Sequence, residues 1–218
     1  MSGATRIVLV RHGEGRVNID GVLGGLKGCR GLTAEGRRQV QRLQPRWRRA
    51  SFRPDVLITS PVQCARETAL LLAACTPNGA ELVADCAACE MHLGEADGLT
   101  WKQYEARFGR FDIEADPDRP FAPGAESWND VQHRVENCLR RLAAEHSRQT
   151  VVVVTHAGFI VASMLSLLGI SQTSVAQRAY LDPWFTSITS WEYTPHRWTL
   201  LSFNDVAHLD EHHPSPPT

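Results

Sequence analysis

The chain has 218 residues, of which 43% are hydrophobic and 22% are charged, and its formal net charge is −1. This composition is typical of a globular protein with one full hydrophobic core. The small net charge argues against nucleic acid and membrane surfaces as partners, because no global field would attract them. The sequence has no run of roughly 18 apolar residues that could span a membrane and no apolar leader, so we expect a cytoplasmic protein.

Six cysteines are scattered along the chain, at positions 29, 64, 75, 86, 89 and 138. A chain of this size needs no disulfides, and we interpret the six as reduced structural thiols. Cys86 and Cys89 form a C-x-x-C pair, but the common zinc motif has a second such pair, which this sequence lacks. The sequence therefore predicts no metal site. It also predicts one domain over residues 1–207 and a polar tail, rich in Pro and His, over 208–218.

Apolar runs and turn residues alternate along the chain. In chain order they predict a strand at 7–10, a Gly-rich loop at 13–32, a helix after Thr33, a strand at 56–58, a helix from Ser60 and Pro61 to about residue 74, and a short strand at 81–84. They then predict a helix at 100–108, an excursion or lid loop at 109–124, a long helix after Ser127, a buried strand at 151–154, a helix to about residue 168, and a hairpin of 188–193 with 198–203. Strands that alternate with helices predict an α/β fold with a doubly wound, mostly parallel sheet flanked by helices.

Basic residues follow three of the predicted strands. Arg11 and His12 come directly after the first strand, Arg66 lies in the first turns of the helix after the second, and His156 follows the strand at 151–154. In open α/β sheets, ligands bind at the carboxyl ends of the strands, where helix N-termini also attract anions. An imidazole beside a guanidinium suits phosphate chemistry. If these junctions share one sheet edge, two histidines and two arginines converge on a phosphate site.

Five segments of the chain, in this order, resemble the motifs of the histidine phosphatase superfamily, also called phosphoglycerate mutase-like. They are residues 9–14 with Asn18, 60–69, 90–100, 123–127 and 155–158. The resemblance covers about residues 6–205 and implies the phosphoglycerate mutase-like fold. Three positions depart from the usual family pattern, since Gly15 replaces a Thr, and Ala125 and Ala157 each replace a Gly. None of these changes removes a chemical group, and Ala157 still offers its backbone N–H.

The resemblance also implies a role for each matching residue. His12 would be the nucleophile that accepts the phosphoryl group, and Glu90 would give a proton to the leaving oxygen. The phosphate oxygens would be bound by Arg11, Arg66, His156, Asn18 and the backbone of Ala157. Neither a metal nor a cofactor is implied, because the guanidinium groups would neutralise the phosphate charge.

The expected activity is metal-independent hydrolysis of a small phosphorylated metabolite through a phosphohistidine intermediate. One alternative is a cofactor-dependent phosphoglycerate mutase, but the mutases that this chain resembles carry a longer basic insertion than its residues 90–124. A second alternative is a module that binds phosphate without turnover. The set of His12, Arg11, Arg66, Glu90 and His156 favours an enzyme over such a module. The sequence leaves the oligomeric state and the identity of the substrate open.

Overall fold

The computed structural model describes residues 3–49, 52–76, 81–113, 115–170, 180–195 and 197–209. They form one six-stranded sheet with helices on both faces. The strands are β1 (Thr5–Arg11), β2 (Val56–Thr59), β3 (Glu81–Ala84), β4 (Thr150–Thr155), β5 (Ile188–Thr194) and β6 (Arg197–Asp205). The helices are α1 (Arg16–Asp20), α2 (Ala34–Arg49), α3 (Gln63–Ala73), α4 (Trp101–Phe108), α5 (Trp128–Glu145) and α6 (Ala157–Leu168), with short 3-10 turns at Cys86–Ala88 and Gly94–Ala96.

The sheet has the strand order β3-β2-β4-β1-β5-β6. β3, β2, β4 and β1 are parallel, whereas β5 pairs antiparallel with β1 and with β6. The predicted mostly parallel sheet and the C-terminal hairpin are therefore confirmed. Because β1 and β4 are central, parallel neighbours, their carboxyl ends meet at the same edge of the sheet.

Both faces of β1 are buried, which explains why its sequence is an apolar run rather than an alternating pattern. Ile7 and Leu9 pack in one cluster with the inner faces of α5 and α6. Val8 and Val10 point to the other side and pack with α2 and α3. The four valines of β4 are likewise fully buried. The two strands that end at the candidate site are thus fixed from both sides.

Two predicted elements differ from the structure. The Gly-rich stretch 13–32 contains the short helix α1, which buries no residue and so leaves no apolar period in the sequence. The helix predicted to start at Ser60 and Pro61 instead begins at Gln63, with Val62 as its N-cap. Ser60 still stabilises this turn, because its hydroxyl accepts a hydrogen bond of 3.2 Å from the Val62 N–H.

The first two residues of the predicted tail pack against the domain. Leu209 is 5% exposed, and the ring of His208 lies 2.9 Å from the hydroxyl of Thr186 through its Nε2 atom. The rest of the predicted tail, 210–218, lies outside the described residues. Among the residues that the structure describes, no helix combines the length and the apolar character needed to cross a bilayer.

Candidate active site

A cleft of about 600 Å³ opens at the carboxyl ends of β1 and β4. Arg11 ends β1, where it pairs in register with Thr155 of β4, and His12 and His156 are the residues that follow these positions. The rings of His12 and His156 lie edge to face, with their centroids 5.0 Å apart. The two histidines predicted to converge therefore lie side by side at this sheet edge.

His12 is held with one ring nitrogen free for chemistry. Its side chain is buried, and its Nδ1 atom lies 2.7 Å from the carbonyl oxygen of Gly13. Because a carbonyl oxygen only accepts hydrogen bonds, Nδ1 carries the proton and Nε2 keeps its lone pair. Burial, together with the charge of Arg11, lowers the pKa of His12 to about 4. The imidazole is therefore neutral at pH 7.

Arg11 supplies a fixed positive charge beside His12. Its guanidinium donates to the carbonyl of Pro183, lies 3.8 Å from the carboxylate of Asp182, and stacks 4.1 Å from the ring centroid of Phe185. Burial lowers the pKa of Arg11 from its ordinary value, but an arginine stays protonated throughout the physiological range. The buried Nε–H has no acceptor among the described residues, so it is a donor that an anion in the cleft can satisfy.

His156 is the N-cap of α6, and Ala157 is the first residue of that helix. Nε2 of His156 lies 2.9 Å from the Ser60 hydroxyl, which fixes the ring. Burial, with the nearby charges of His12 and Arg11, lowers the pKa of His156 well below its usual value. Ala157 lines the cleft at a helix start, where backbone N–H groups have no acceptor within the helix. This end of α6 is therefore suited to binding an anion.

Glu90 brings a carboxyl group to the same cleft. Its Oε2 atom accepts a hydrogen bond of 3.1 Å from the N–H of Gly158, in the first turn of α6. Desolvation of the carboxylate raises its pKa, although the Gly158 N–H and the charge of Arg11 oppose that effect. A Cβ atom at position 158 would lie 2.2 Å from Oε1 of Glu90, so this contact requires a glycine.

Sequence reasoning missed Arg134, which holds the segment that carries Glu90. Its guanidinium donates to the carbonyls of Ala87, Cys89 and Glu90 over 3.0, 3.0 and 3.1 Å. The same group pairs with the carboxylate of Glu126 at 2.7 Å. Arg134 lies on α5, and no local pattern links it to a loop more than 40 residues away in the chain.

Arg66 does not line the cleft in the structure, although the sequence predicts it there. Arg66 is exposed on α3, whereas Cys64 is 2% exposed and lines the cleft. Residues two apart on a helix point roughly 200° apart, so only one of the two can face the site. Among the described lining residues, Arg11 is the one cationic side chain other than histidine.

The loop between β1 and α2 forms one wall of the cleft. Asn18 lines it from α1, and its Oδ1 atom accepts a hydrogen bond of 3.0 Å from the Gly15 N–H. The amide oxygen is thus used within the loop, which leaves the NH₂ group of Asn18 available to a ligand. Asn18 and Ala157, which the sequence predicts to bind phosphate, therefore both line this cleft.

Part of the cleft lining is apolar and largely aromatic. Its rings come from Trp101, Phe111, Phe121, Trp128 and Tyr180. The rings of Trp101 and Phe121 meet edge to face, with centroids 6.0 Å apart. Phe111 and Phe121 belong to the stretch predicted as an excursion, so that stretch contributes to the wall.

Comparison with known proteins supports this description. A profile of the histidine phosphatase superfamily (branch 1) matches residues 7–206. A metal-independent phosphoserine phosphatase of Arabidopsis thaliana is 30% identical over 213 residues, which span 95% of this chain and 84% of that protein. The solved structure of Bacillus stearothermophilus YhfR is 25% identical, with a TM-score of 0.79 and coverage of 94% of this chain and 100% of the other.

A second solved structure is similar in the same way. The phosphoserine phosphatase of Entamoeba histolytica in complex with 3-phosphoglyceric acid is 25% identical, with a TM-score of 0.76 and coverage of 94% of this chain and 99% of the other. The profile match covers nearly the whole domain, and the strand ends carry the histidines and the arginine described above. The chain belongs to branch 1 of the histidine phosphatase superfamily.

Proposed function

We propose that the chain is a phosphomonoesterase that works without a metal, through a covalent phosphohistidine on His12. One observation carries this proposal. The free Nε2 atom of the neutral, buried His12 lies beside the Arg11 guanidinium and the His156 ring in a cleft whose wall also presents the Glu90 carboxyl group. The phosphatase names of several relatives support the same reaction class.

In the first step, the phosphate of the substrate binds to Arg11, His156 and the N–H groups at the start of α6. The lone pair on Nε2 of His12 attacks phosphorus, so a P–N bond forms while the P–O bond to the leaving group breaks. Glu90 gives its proton to the leaving oxygen, which departs as an alcohol. Arg11 neutralises the charge that spreads over the phosphoryl oxygens.

In the second step, water replaces the departed alcohol. The Glu90 carboxylate takes a proton from this water as its oxygen attacks phosphorus, and the P–N bond breaks. Inorganic phosphate leaves, and both His12 and Glu90 return to their starting protonation states. The positive partners of the phosphate are a guanidinium and helix N–H groups throughout, so the proposed steps use no metal ion.

The substrate proposed here is a small phosphomonoester with an apolar or aromatic leaving group. The exposed ring of Trp101, which meets the buried ring of Phe121 edge to face, offers such a group an apolar contact surface. A leaving group with its own carboxylate, such as the serine of phosphoserine or the glycerate of a phosphoglycerate, would need a second cation. Among the described lining residues, Arg11 is the one cationic side chain other than histidine. In the proposed reaction Arg11 binds the phosphate, so no second cation is left for a carboxylate. This argument also favours hydrolysis over mutase activity. The cytoplasmic location stays a prediction from the sequence.

The test is phosphate release from a panel of phosphomonoesters, with a chelator present throughout. Labelled substrate, quenched with alkali, should yield a phosphoenzyme that is stable in base and labile in acid, as a phosphohistidine is. His12→Ala should lose the adduct and the turnover while it still binds inorganic phosphate. Arg66→Ala is the matched control, since Arg66 is exposed and outside the cleft. Turnover by His12→Ala, or turnover that needs an added metal, would overturn the proposal.

A further inference from the structure

Outside the catalytic cleft, three side chains with metal-binding atoms converge on the segment between β3 and α4. Sγ of Cys86 lies 3.2 Å from Sγ of Cys89 and 3.3 Å from Nε2 of His92. The three donor atoms all lie within 4.8 Å of one another. The sequence prediction of no metal site rested on the lack of a second C-x-x-C pair, but the third donor here is a histidine three residues further on.

We propose that Cys86, Cys89 and His92 form a binding site for a thiophilic divalent cation, best matched by Zn²⁺. Zinc prefers thiolate and imidazole ligands at about 2.3 Å and about 2.05 Å in a tetrahedral arrangement. Such an arrangement separates two sulfurs by about 3.8 Å and a sulfur from a nitrogen by about 3.6 Å. The observed separations of 3.2 and 3.3 Å are shorter than these by about 0.6 and about 0.3 Å. Small side-chain rotations would therefore complete the site.

A carboxylate orients the histidine of this site. Nδ1 of His92 lies 3.4 Å from Oε2 of Glu126, and Glu126 is itself held by Arg134 at 2.7 Å. A carboxylate at Nδ1 keeps the ring proton on that atom and leaves Nε2 to bind the metal. The backbone N–H of His92 also donates to Glu126 over 2.8 Å. This arrangement of carboxylate, histidine and metal is the usual one around zinc ligands.

The site is open on one side. Cys86 is exposed, Cys89 is buried, and a surface pocket of about 390 Å³ borders Cys86, Cys89 and His92. Water or a small anion from this pocket can take the fourth coordination position. Binding replaces one proton on each thiol, so two protons are released for each cation bound, and affinity should fall as the pH is lowered. Two thiolates then balance the double charge of the cation.

The cation would fix the position of Glu90, which lies between two of the ligands in the chain. Cys89 is also linked to the cleft through Ser60, whose hydroxyl lies 3.4 Å from the sulfur of Cys89 and 2.9 Å from Nε2 of His156, which lines the cleft. We therefore assign the cation a structural role beside the cleft rather than a part in the reaction. The site does not depend on the phosphatase activity being correct.

The experiment is a titration of the reduced, metal-free, full-length chain with Co²⁺, followed by displacement with Zn²⁺. Tetrahedral Co²⁺ with thiolate ligands gives charge-transfer bands in the near ultraviolet and intense visible bands, which silent Zn²⁺ then removes. We expect one equivalent of Co²⁺ to saturate these bands. Cys86→Ser and His92→Ala should each weaken binding by about tenfold or more. Cys86 is exposed, so its substitution leaves the core intact.

Controls separate this site from two others that could bind a metal. Cys75→Ser removes a thiol outside the cluster and should keep the bands. Cys64→Ser disrupts the group of His12, Cys64 and His156, whose donor atoms also lie within 4.8 Å of one another, and should keep them as well. Replacing His212 and His213 with alanine tests the tail. Bands that survive in Cys86→Ser and His92→Ala, or that vanish in Cys64→Ser or the tail variant, would overturn the proposal.

Discussion

The N–H of Gly158 donates a hydrogen bond of 3.1 Å to Oε2 of Glu90, so the helix that begins beside His156 also holds the proposed proton donor. The contact leaves no room for a side chain, because a Cβ atom at 158 would lie 2.2 Å from Oε1 of Glu90. The position of the acid is thus tied to the backbone of α6. The first prediction tests this tie.

Gly158→Ala should displace the Glu90 carboxyl group while the fold survives, because the group in the way is the end of a flexible side chain. A misplacement of about 1 Å can lower a rate by about 10²-fold, so we expect kcat to fall by one to two orders of magnitude, roughly. Ser166→Ala on the same helix is the matched control and should retain activity. The measurement is kcat for the two variants, with circular dichroism to check that both are folded. If Gly158→Ala were as active as the Ser166→Ala control, Glu90 would not need its present position.

The acid side of the pH–rate profile should show the pKa of His12. Burial and Arg11 lower the pKa of His12 to about 4, so Nε2 is protonated, and the nucleophile lost, only below about pH 4. The rate kcat/KM, corrected for ionisation of the substrate, should therefore stay level as the pH falls through 6.5, the ordinary value for histidine. A decline centred near pH 6.5 would mean that His12 is solvated as in a free peptide and would contradict the structure.

Arg11 and Arg66 should differ sharply when each is replaced by alanine. Loss of one well-placed donor to a transferring group costs about 10² to 10³ in rate, and we expect this for Arg11→Ala. Arg66→Ala should stay within about twofold of the wild type, because its side chain is exposed outside the cleft. The measurements are kcat/KM and the inhibition constant of inorganic phosphate. A large loss in Arg66→Ala would restore the sequence prediction that it binds phosphate.

Trp101→Ala should distinguish substrates by their leaving groups. Because Trp101 lines the apolar part of the cleft, its loss should raise KM for a naphthyl phosphate by about tenfold. The KM for a small polar ester such as phosphoserine should change little. Leu70→Ala, which removes an exposed apolar side chain of α3 outside the cleft, is the control. Equal changes for both substrates would show that the aromatic wall does not contact the leaving group.

Much of the sheet could be predicted from the sequence because its central strands are buried on both faces. Residues 7–10 and 151–154 are apolar runs that end in Arg11-His12 and in Thr155-His156, and this ending placed both histidines correctly. Parallel pairing then brings these ends together, which needs only the fold class. The positions of His12 and its neighbours therefore follow from the local sequence pattern and the topology of the sheet.

The sequence prediction put Arg66 at the phosphate site, but a signal in the sequence places Arg66 away from the buried face of α3. The buried positions of this helix are Cys64, Ala65, Thr68, Ala69 and Leu72. This apolar spacing puts Arg66 on the opposite side. The contacts of Arg134 could not be read from the sequence at all, because they join α5 to backbone carbonyls of a distant loop. Every residue has a backbone carbonyl, so the sequence does not show which carbonyls accept a hydrogen bond from a distant side chain.

Arg134 binds three backbone carbonyls of one loop, so the proposed acid Glu90 is held from α5 as well as from the backbone of α6. His12 and His156 are built on the sheet, whereas Glu90 stands on a loop anchored by a helix residue. Substitution of Arg134 should therefore shift Glu90, while the backbone of His12 stays bonded to Thr155 of β4. Substitutions on α5 can therefore change the preference for the leaving group, while the strand ends that carry His12 and His156 stay the same.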